Sequence, residues 1–125
     1  MNCSFEKDLD EFLFACHRVG GYGLVRCSSG NLSWRLGGEL MAVTARGAWL
    51  GELEKEQIAI CRLSDGECVN GKTASVEAGL HRAVLNQRGD VETVLHFQTP
   101  CATAMACGES VPEAESCFVI PEAPY

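Results

Sequence analysis

The histidine and amide of the stretch TVLHFQ are the first side chains in the sequence that could bind a ligand together. His96 and Gln98 are two residues apart, so in a strand both side chains point to the same face. Two histidines at this spacing can share one metal ion, but an amide oxygen is a weaker zinc ligand than imidazole. The stretch alone is compatible with half of a metal site, a site rebuilt for another role, or a structural histidine.

A carboxylate precedes this strand, in the stretch ASVEAGLH. Glu77 lies in the first turn of an expected helix, where the helix dipole stabilises an anion, and His81 follows four residues later on the same face. Glu77 is a candidate general base or metal ligand. The plain alternative is the ordinary preference for an acidic residue at a helix start.

Two earlier stretches are candidates for anion binding. In CSSGNLS, Gly30 lets the backbone approach a ligand, while Ser28 and Asn31 supply neutral donors beside consecutive N–H groups. In TARGAW, Arg46 stands beside Gly47 after a strand and could hold a phosphate through two hydrogen bonds. The alternatives are a turn that leads into a hairpin and a solvated arginine.

The elements that must position these residues are read from periodicity. Apolar residues at helical spacing predict a helix over residues 5 to 19, capped by Ser4 and stopped by the glycines at 20, 21 and 23. Leu32, Trp34 and Leu36 alternate with polar residues before a Gly-Gly pair, which predicts a hairpin, and a further strand is expected at about 57 to 63.

The pattern in the second half of the chain predicts a helix that begins at Ser75, followed by strands and a short helix. The apolar stripe of the Ser75 helix is expected at Val76, Leu80, Ala83 and Val84, flanked by His81 and Arg82. DVETVLHFQ predicts a strand, PCATAMAC a short helix, and CFVIPEAPY a last strand. Helices alternating with hairpin-linked strands favour an α/β fold of three layers with a largely antiparallel sheet. The 125 residues fit one domain, 1–125.

Composition excludes several classes of function. The net charge of -7 disfavours a nucleic-acid partner or an anionic membrane surface, because binding to phosphate backbones relies on clustered Lys and Arg. The acidic N-terminus does not resemble a secretory signal, and no stretch is apolar enough for a membrane span. The eight cysteines contain no C-x-x-C pair. We expect a cytoplasmic protein in which Cys16, Cys27, Cys61, Cys101 and Cys107 are reduced and buried.

In order and spacing, these stretches resemble the class II aldolase and adducin family, whose members include fuculose-phosphate aldolase. The matching blocks are GLVRCSSGNLSWR, MAVTARGAWLGEL, KTASVEAGLHRAV and DVETVLHFQTPCATAMA, and VIPEAPY is similar to the strand after them. The resemblance implies a three-layer α/β/α fold with a mainly antiparallel central sheet, incomplete at the C-terminus. It also implies a small phosphorylated sugar as ligand and a homo-oligomer, a tetramer with sites between subunits.

The resemblance also implies roles for individual residues. Active members hold zinc or another divalent metal with three histidines and use a glutamate as acid and base. Glu77 matches that glutamate, as catalytic residue and possible metal ligand, and His96 matches the first histidine of an H-x-H pair. The positions that match phosphate-binding elements are Ser28, Gly30, Asn31, Arg46, Gly47 and Ser75.

The sequence departs from the family pattern at several points. Gln98 replaces the second histidine, Val76 replaces a serine, and Arg46 stands where a small hydroxylated residue is commoner. The family segment with the third histidine is not in the chain, and His17 and His81 match no family ligand. The activity that the resemblance implies is that of a metal-dependent aldolase, which cleaves a phosphorylated ketose to a triose phosphate and an aldehyde. The alternatives are a non-catalytic aldolase-fold protein that serves oligomerisation or binding, and an incomplete copy of an enzyme.

Overall fold

A computed structural model describes residues 5–108 of the chain. The helices are α1 (Glu6–Gly21), α2 (Ala78–Gln87) and α3 (Pro100–Ala106), and two single 3₁₀ turns cover Leu50–Glu52 and Lys55–Gln57. The strands are β1 (Asn31–Leu36), β2 (Leu40–Thr44), β3 (Ile58–Arg62) and β4 (Thr93–His96). Within this part of the chain, no helix is long and apolar enough to cross a bilayer.

The four strands form one antiparallel sheet in the order β3-β2-β1-β4. Side chains alternate between the two faces along each strand, so each face receives its own apolar set. On one face, α1 contributes Phe12 and Cys16 to a core that includes Leu32 and Ile60. On the other face, Leu85 of α2 packs in a second core with neighbouring strand residues, Met41, Val43, Ala59 and Cys61. The predicted three layers are confirmed: α1, the sheet and α2.

Helix α1 and the strands agree with the periodicity, with small shifts at the ends. α1 runs through Gly20 and Gly21, and the chain turns at Gly23, whose φ of +73° suits glycine. A methyl group on Gly20 would lie 2.4 Å from the Cα of Gly51. The close approach of α1 to the first 3₁₀ turn therefore requires glycine at position 20. The proposed Ser4 cap and the last strand over 117–125 lie outside the described residues.

The start of α2 and the burial of its residues were predicted wrongly. The helix begins at Ala78 and not at Ser75, because residues 73–75 pair with the end of β2: Ser75 N donates to Thr44 O, and Arg46 N donates to Thr73 O. Val76, expected in the apolar stripe, is 73% exposed. The residues of α2 that are buried are His81 and Leu85.

The cysteine prediction is correct in part. Cys16 and Cys61 are buried free thiols, as expected. Cys27, Cys101 and Cys107 are exposed, so their predicted burial is wrong. Cys27 occupies a surface turn with a φ of 52°, and α3, which begins just before Cys101, has no buried residue.

Candidate functional site

One pocket of about 350 Å³ brings together the residues that the sequence singled out from four separate stretches. It lies where the approach to β1, the end of β2, the start of α2 and the end of β4 meet. The predicted site residues that line it are Ser28, Gly30, Asn31, Arg46, Gly47, Ser75, Glu77, His96 and Gln98. Ser29, Ala45, Ala48 and Val76 complete the lining.

The approach to β1 is held tightly against β4. A methyl group on Gly30 would lie 2.7 Å from a Val25 side-chain carbon and 2.9 Å from the carbonyl oxygen of His96. A side chain at position 30 would therefore push this loop away from the strand. In the next position, Asn31 pairs with His96 across the β1–β4 ladder, so these two side chains lie on the same face of the sheet.

The end of β2 supplies a positive charge to the pocket. Arg46 follows Ala45, which forms an isolated antiparallel bridge with Ala74. The side chain of Arg46 is exposed, and Gly47 has a φ of +72° that favours glycine. The local backbone thus fixes the place of Arg46 through its N–H bond to Thr73 O, while the guanidinium group stays accessible to a ligand.

The turn before α2 brings a hydroxyl and a carboxylate to the same pocket. Glu77 is the residue that precedes the helix, with φ -87° and ψ 3°, and its carbonyl oxygen accepts hydrogen bonds from the N–H groups of Leu80 and His81. The Oγ of Ser75 accepts a hydrogen bond from Glu77 N at 3.2 Å. Glu77 is partly buried and lines the pocket at the N-terminal end of α2.

The end of β4 contributes His96 and Gln98. Both line the pocket, as their spacing of two residues predicts. His96 is partly buried, and its Nδ1 is buried without a hydrogen-bond partner among the described residues. Within residues 5–108, no group of three His, Cys, Asp or Glu side chains is placed to hold a metal ion.

Beneath the pocket lies a histidine whose burial the sequence did not reveal. His81 is fully buried, its Nδ1 is 2.7 Å from Ser33 Oγ, and its Nε2 is 2.5 Å from Asn31 Oδ1. Burial is the main cause that lowers the pKa of His81 to about 4, and the nearby His96 lowers it further, against a smaller opposite effect of the Val94 backbone. The ring is therefore neutral at pH 7. The available signal was its spacing of four residues from Glu77, which placed it on the same helix face.

The comparisons of this chain with known proteins agree on one protein family. A family model described as the class II aldolase and adducin N-terminal domain matches residues 10–124. A methylthioribulose-1-phosphate dehydratase from Pectobacterium carotovorum is 29% identical over 100 residues, which are 80% of this chain and 49% of that protein. The chain spans about half the length of the curated relatives that it matches.

Solved structures agree with this match. The YgbL protein of Klebsiella pneumoniae superposes with a TM-score of 0.74 at 27% identity, over 86% of this chain and 52% of that chain. An L-fuculose 1-phosphate aldolase superposes with a TM-score of 0.71 at 26% identity, over 82% of this chain and 49% of that chain. The antiparallel sheet between α1 and α2 is thus the fold of these proteins.

Proposed function

The chain belongs to the class II aldolase and adducin family, and on that basis we propose that its pocket binds a small phosphorylated sugar and takes part in lyase chemistry. The observation that carries the proposal is the convergence of Arg46, Ser75 and the Gly30-Asn31 turn on the same cavity as Glu77. The first three elements offer a guanidinium group, a hydroxyl and polar loop groups, which suit a phosphate. Glu77 offers a carboxylate for proton transfer.

Arg46 is the main phosphate-binding side chain in this proposal. The chain has a net charge of -7, so a dianionic ligand is repelled by the molecule as a whole and needs a local cation. Arg46 is the one Lys or Arg side chain that the described part of the chain contributes to the lining, and a guanidinium group can donate two parallel hydrogen bonds to one phosphate. Ser28, Gly47 and Ser75 lie in the same lining and complete the proposed phosphate-binding set.

Glu77 is the proposed acid and base. In a retro-aldol cleavage it takes the proton from a hydroxyl group while the neighbouring carbon–carbon bond breaks and its electron pair passes to the carbonyl-bearing fragment as an enediolate. Glu77 then returns the proton to the enediolate carbon. In a dehydration, the reaction by which several relatives are named, it takes the proton from the carbon next to the carbonyl group before hydroxide leaves. The pocket is proposed to serve one of these two lyase reactions, with cleavage to a triose phosphate and an aldehyde as the first to test.

The residues present do not fit a divalent metal on their own. Class II aldolases depend on a divalent ion, typically zinc. Here the lining offers one imidazole, His96, one carboxylate, Glu77, and the weaker amide of Gln98. A ligating histidine usually donates its second ring N–H to an acceptor, and the buried Nδ1 of His96 meets none among residues 5–108. No step of the proposed chemistry is therefore assigned to a metal held by these residues alone.

This donor set favours a second candidate function, binding without catalysis. Proton removal by Glu77 leaves negative charge on the substrate oxygen, and Arg46, the one Lys or Arg side chain that residues 5–108 contribute to the lining, is the group proposed to hold the phosphate. An aldolase-fold protein that binds a sugar phosphate, or that serves assembly, would keep the Arg46 side of the pocket and lose turnover. Family members are oligomeric, and we propose a homo-oligomer, with a tetramer as the expected state.

Calorimetric titration with L-fuculose 1-phosphate and with the same ketose lacking phosphate tests the binding proposal. Only the phosphate ester is expected to bind, and Arg46→Gln is expected to weaken that binding at least about tenfold, a loss of about 1.4 kcal/mol. Arg26→Gln is the matched control, because Arg26 is exposed and lies outside the pocket lining. Equal affinity for both sugars, or equal effects of the two substitutions, contradicts the proposal.

Turnover separates the two candidate functions. Aldehyde release and water loss are measured on the same phosphate esters, before and after zinc is added, together with the metal content of the purified protein. Lyase activity that Glu77→Gln abolishes while binding persists supports the enzyme. Binding without turnover under every condition supports the non-catalytic candidate.

A further inference from the structure

The buried contact between α2 and β1 bears on what the pocket can recognise. Asn31 and Ser33 are two residues apart on β1, so their side chains share the face that α2 covers. His81 of α2 lies over both, with one ring nitrogen on each side chain. All three are buried, with exposures of 7% for Asn31 and 0% for Ser33 and His81.

The two side-chain partners of the ring indicate which nitrogen carries the hydrogen, beside the weaker contact of the ring with the Val94 backbone. Each ring nitrogen either carries a hydrogen and donates or presents a lone pair and accepts. Asn31 Oδ1 is an amide oxygen and can only accept, so Nε2 carries the hydrogen and donates to it. Nδ1 then accepts a hydrogen bond from the Ser33 hydroxyl at 2.7 Å. This assignment satisfies both ring nitrogens and the amide oxygen.

Asn31 is the member of this cluster that also lines the pocket. Because its oxygen is turned toward His81, the NH₂ group is left on the other side of the amide, and that group can only donate. A donor at this place suits the oxygens of an anion, whereas the reversed amide would present an acceptor and repel them. The orientation of one amide thus decides which ligand chemistry this side of the pocket favours.

We infer that His81 is a positioning residue that holds the Asn31 amide with its NH₂ group toward the pocket and thereby makes the pocket selective for an oxyanion. The inference rests on the proposed function in one respect, since it takes the ligand to carry a phosphate. It assigns to His81 no contact with the ligand and no proton transfer.

The tautomer of His81 in the unmodified chain is the first test, and it needs no ligand. Nitrogen-15 NMR of the histidine side chains is expected to show His81 neutral at pH 7 with the hydrogen on Nε2. A hydrogen on Nδ1 would overturn the inference, because Nε2 would then accept from the Asn31 NH₂ group and the amide oxygen would face the ligand. Because this result does not depend on phosphate binding, it remains decisive even if the proposed function fails.

A double-mutant cycle with inorganic phosphate as the probe is the second test. His81→Phe and Asn31→Ala are each expected to weaken phosphate binding about tenfold, and the double variant no further than either single one. A merely structural role of His81 predicts further weakening in the double variant and overturns the inference. His81→Gln, whose amide can still donate to Asn31 Oδ1, is expected to keep more affinity than His81→Phe.

The outcomes separate the two claims. If the unmodified chain binds no phosphate, the proposed function fails, and the tautomer alone judges the role of His81. If phosphate binds normally to folded His81→Phe, the positioning role fails and the proposed function stands. If His81→Phe does not fold, the tautomer and the His81→Gln variant carry the test.

Discussion

Two histidines lie on the same side of the sheet in opposite chemical situations. His81 on α2 is fully buried, and both of its ring nitrogens have side-chain partners. His96 at the end of β4 is partly exposed, lines the pocket, and has a buried Nδ1 without a partner among the described residues. The first ring is fixed by the fold, while the second is left available for a ligand. A histidine that is important for a site need not be the one that faces it.

Substitutions of the two histidines should differ most in their effect on the free energy of unfolding. His81→Phe removes the partner of two buried polar groups, Asn31 Oδ1 and Ser33 Oγ, and each unsatisfied group costs about 1 to 3 kcal/mol. We expect a loss of about 4 kcal/mol in the free energy of unfolding, measured with urea, against less than about 1 kcal/mol for the matched His96→Phe. Equal losses for the two variants would contradict the different roles of His81 and His96.

Part of the pH dependence of stability should come from His81. Its pKa in the folded chain is about 4, below the ordinary value of 6.5, so between these values the unfolded chain binds a proton that the folded chain does not. The contribution is fully present above about pH 6.5, and about 3 kcal/mol of it is lost as the pH falls to 4. Urea unfolding from pH 7 to 4 measures the loss.

The control for this pH effect is the Phe variant of the same residue. His81→Phe has no imidazole to protonate, so its stability should fall less steeply over that range than that of the unmodified chain. Parallel pH profiles for the two proteins would show that another group causes the loss.

The loop that packs against His96 should be sensitive to a single methyl group. Gly30→Ala places a carbon 2.9 Å from the carbonyl oxygen of His96 and closer still to Val25, so the loop must move. We expect a loss of about 2 kcal/mol in the free energy of unfolding. In Gly79→Ala, the added methyl on α2 meets nothing within 4 Å, and that variant should gain about 0.5 to 1 kcal/mol. Similar effects at the two glycines would disprove this packing.

The smallest expected effect concerns metal at the His96 end of the pocket. Gln98→His provides a second imidazole on the same face as His96, close to Glu77. Zinc affinity, measured by competition with a chelating dye, should rise about tenfold, or about 1.4 kcal/mol. The rise should vanish in the Gln98→His and His96→Ala double variant. An unchanged affinity in Gln98→His would mean that these two positions cannot share an ion.

The sequence predicted the layers better than the details of the site. Periodicity identifies α1 and the strands because apolar residues such as Phe12 and Leu32 must face the core at the spacing of their element. It placed the start of α2 too early because residues 73–75 bond to the end of β2, a contact between segments far apart in sequence. Local patterns contain no information of that kind.

The candidate site was predicted residue by residue but not as an arrangement. Spacing and resemblance singled out Arg46, Glu77 and His96, and the pocket that joins them is a property of the folded chain. The sequence pattern predicts His81 at the flank of an apolar stripe, whereas in the structure it is fully buried. Its partners on β1 are about fifty positions away, so only the fold could bring them to it.

The most direct test of the central claim is an NMR titration of the chain with L-fuculose 1-phosphate. If the 350 Å³ pocket binds the sugar phosphate, the largest backbone amide shifts occur at Gly30, Gly47 and Ser75, and Arg46→Gln suppresses them. A second cavity of about 300 Å³, lined in part by His17 and Trp49, is the internal comparison and should not respond. Shifts centred on that second cavity, or shifts that persist unchanged in Arg46→Gln, would contradict phosphate binding by Arg46 in the first pocket.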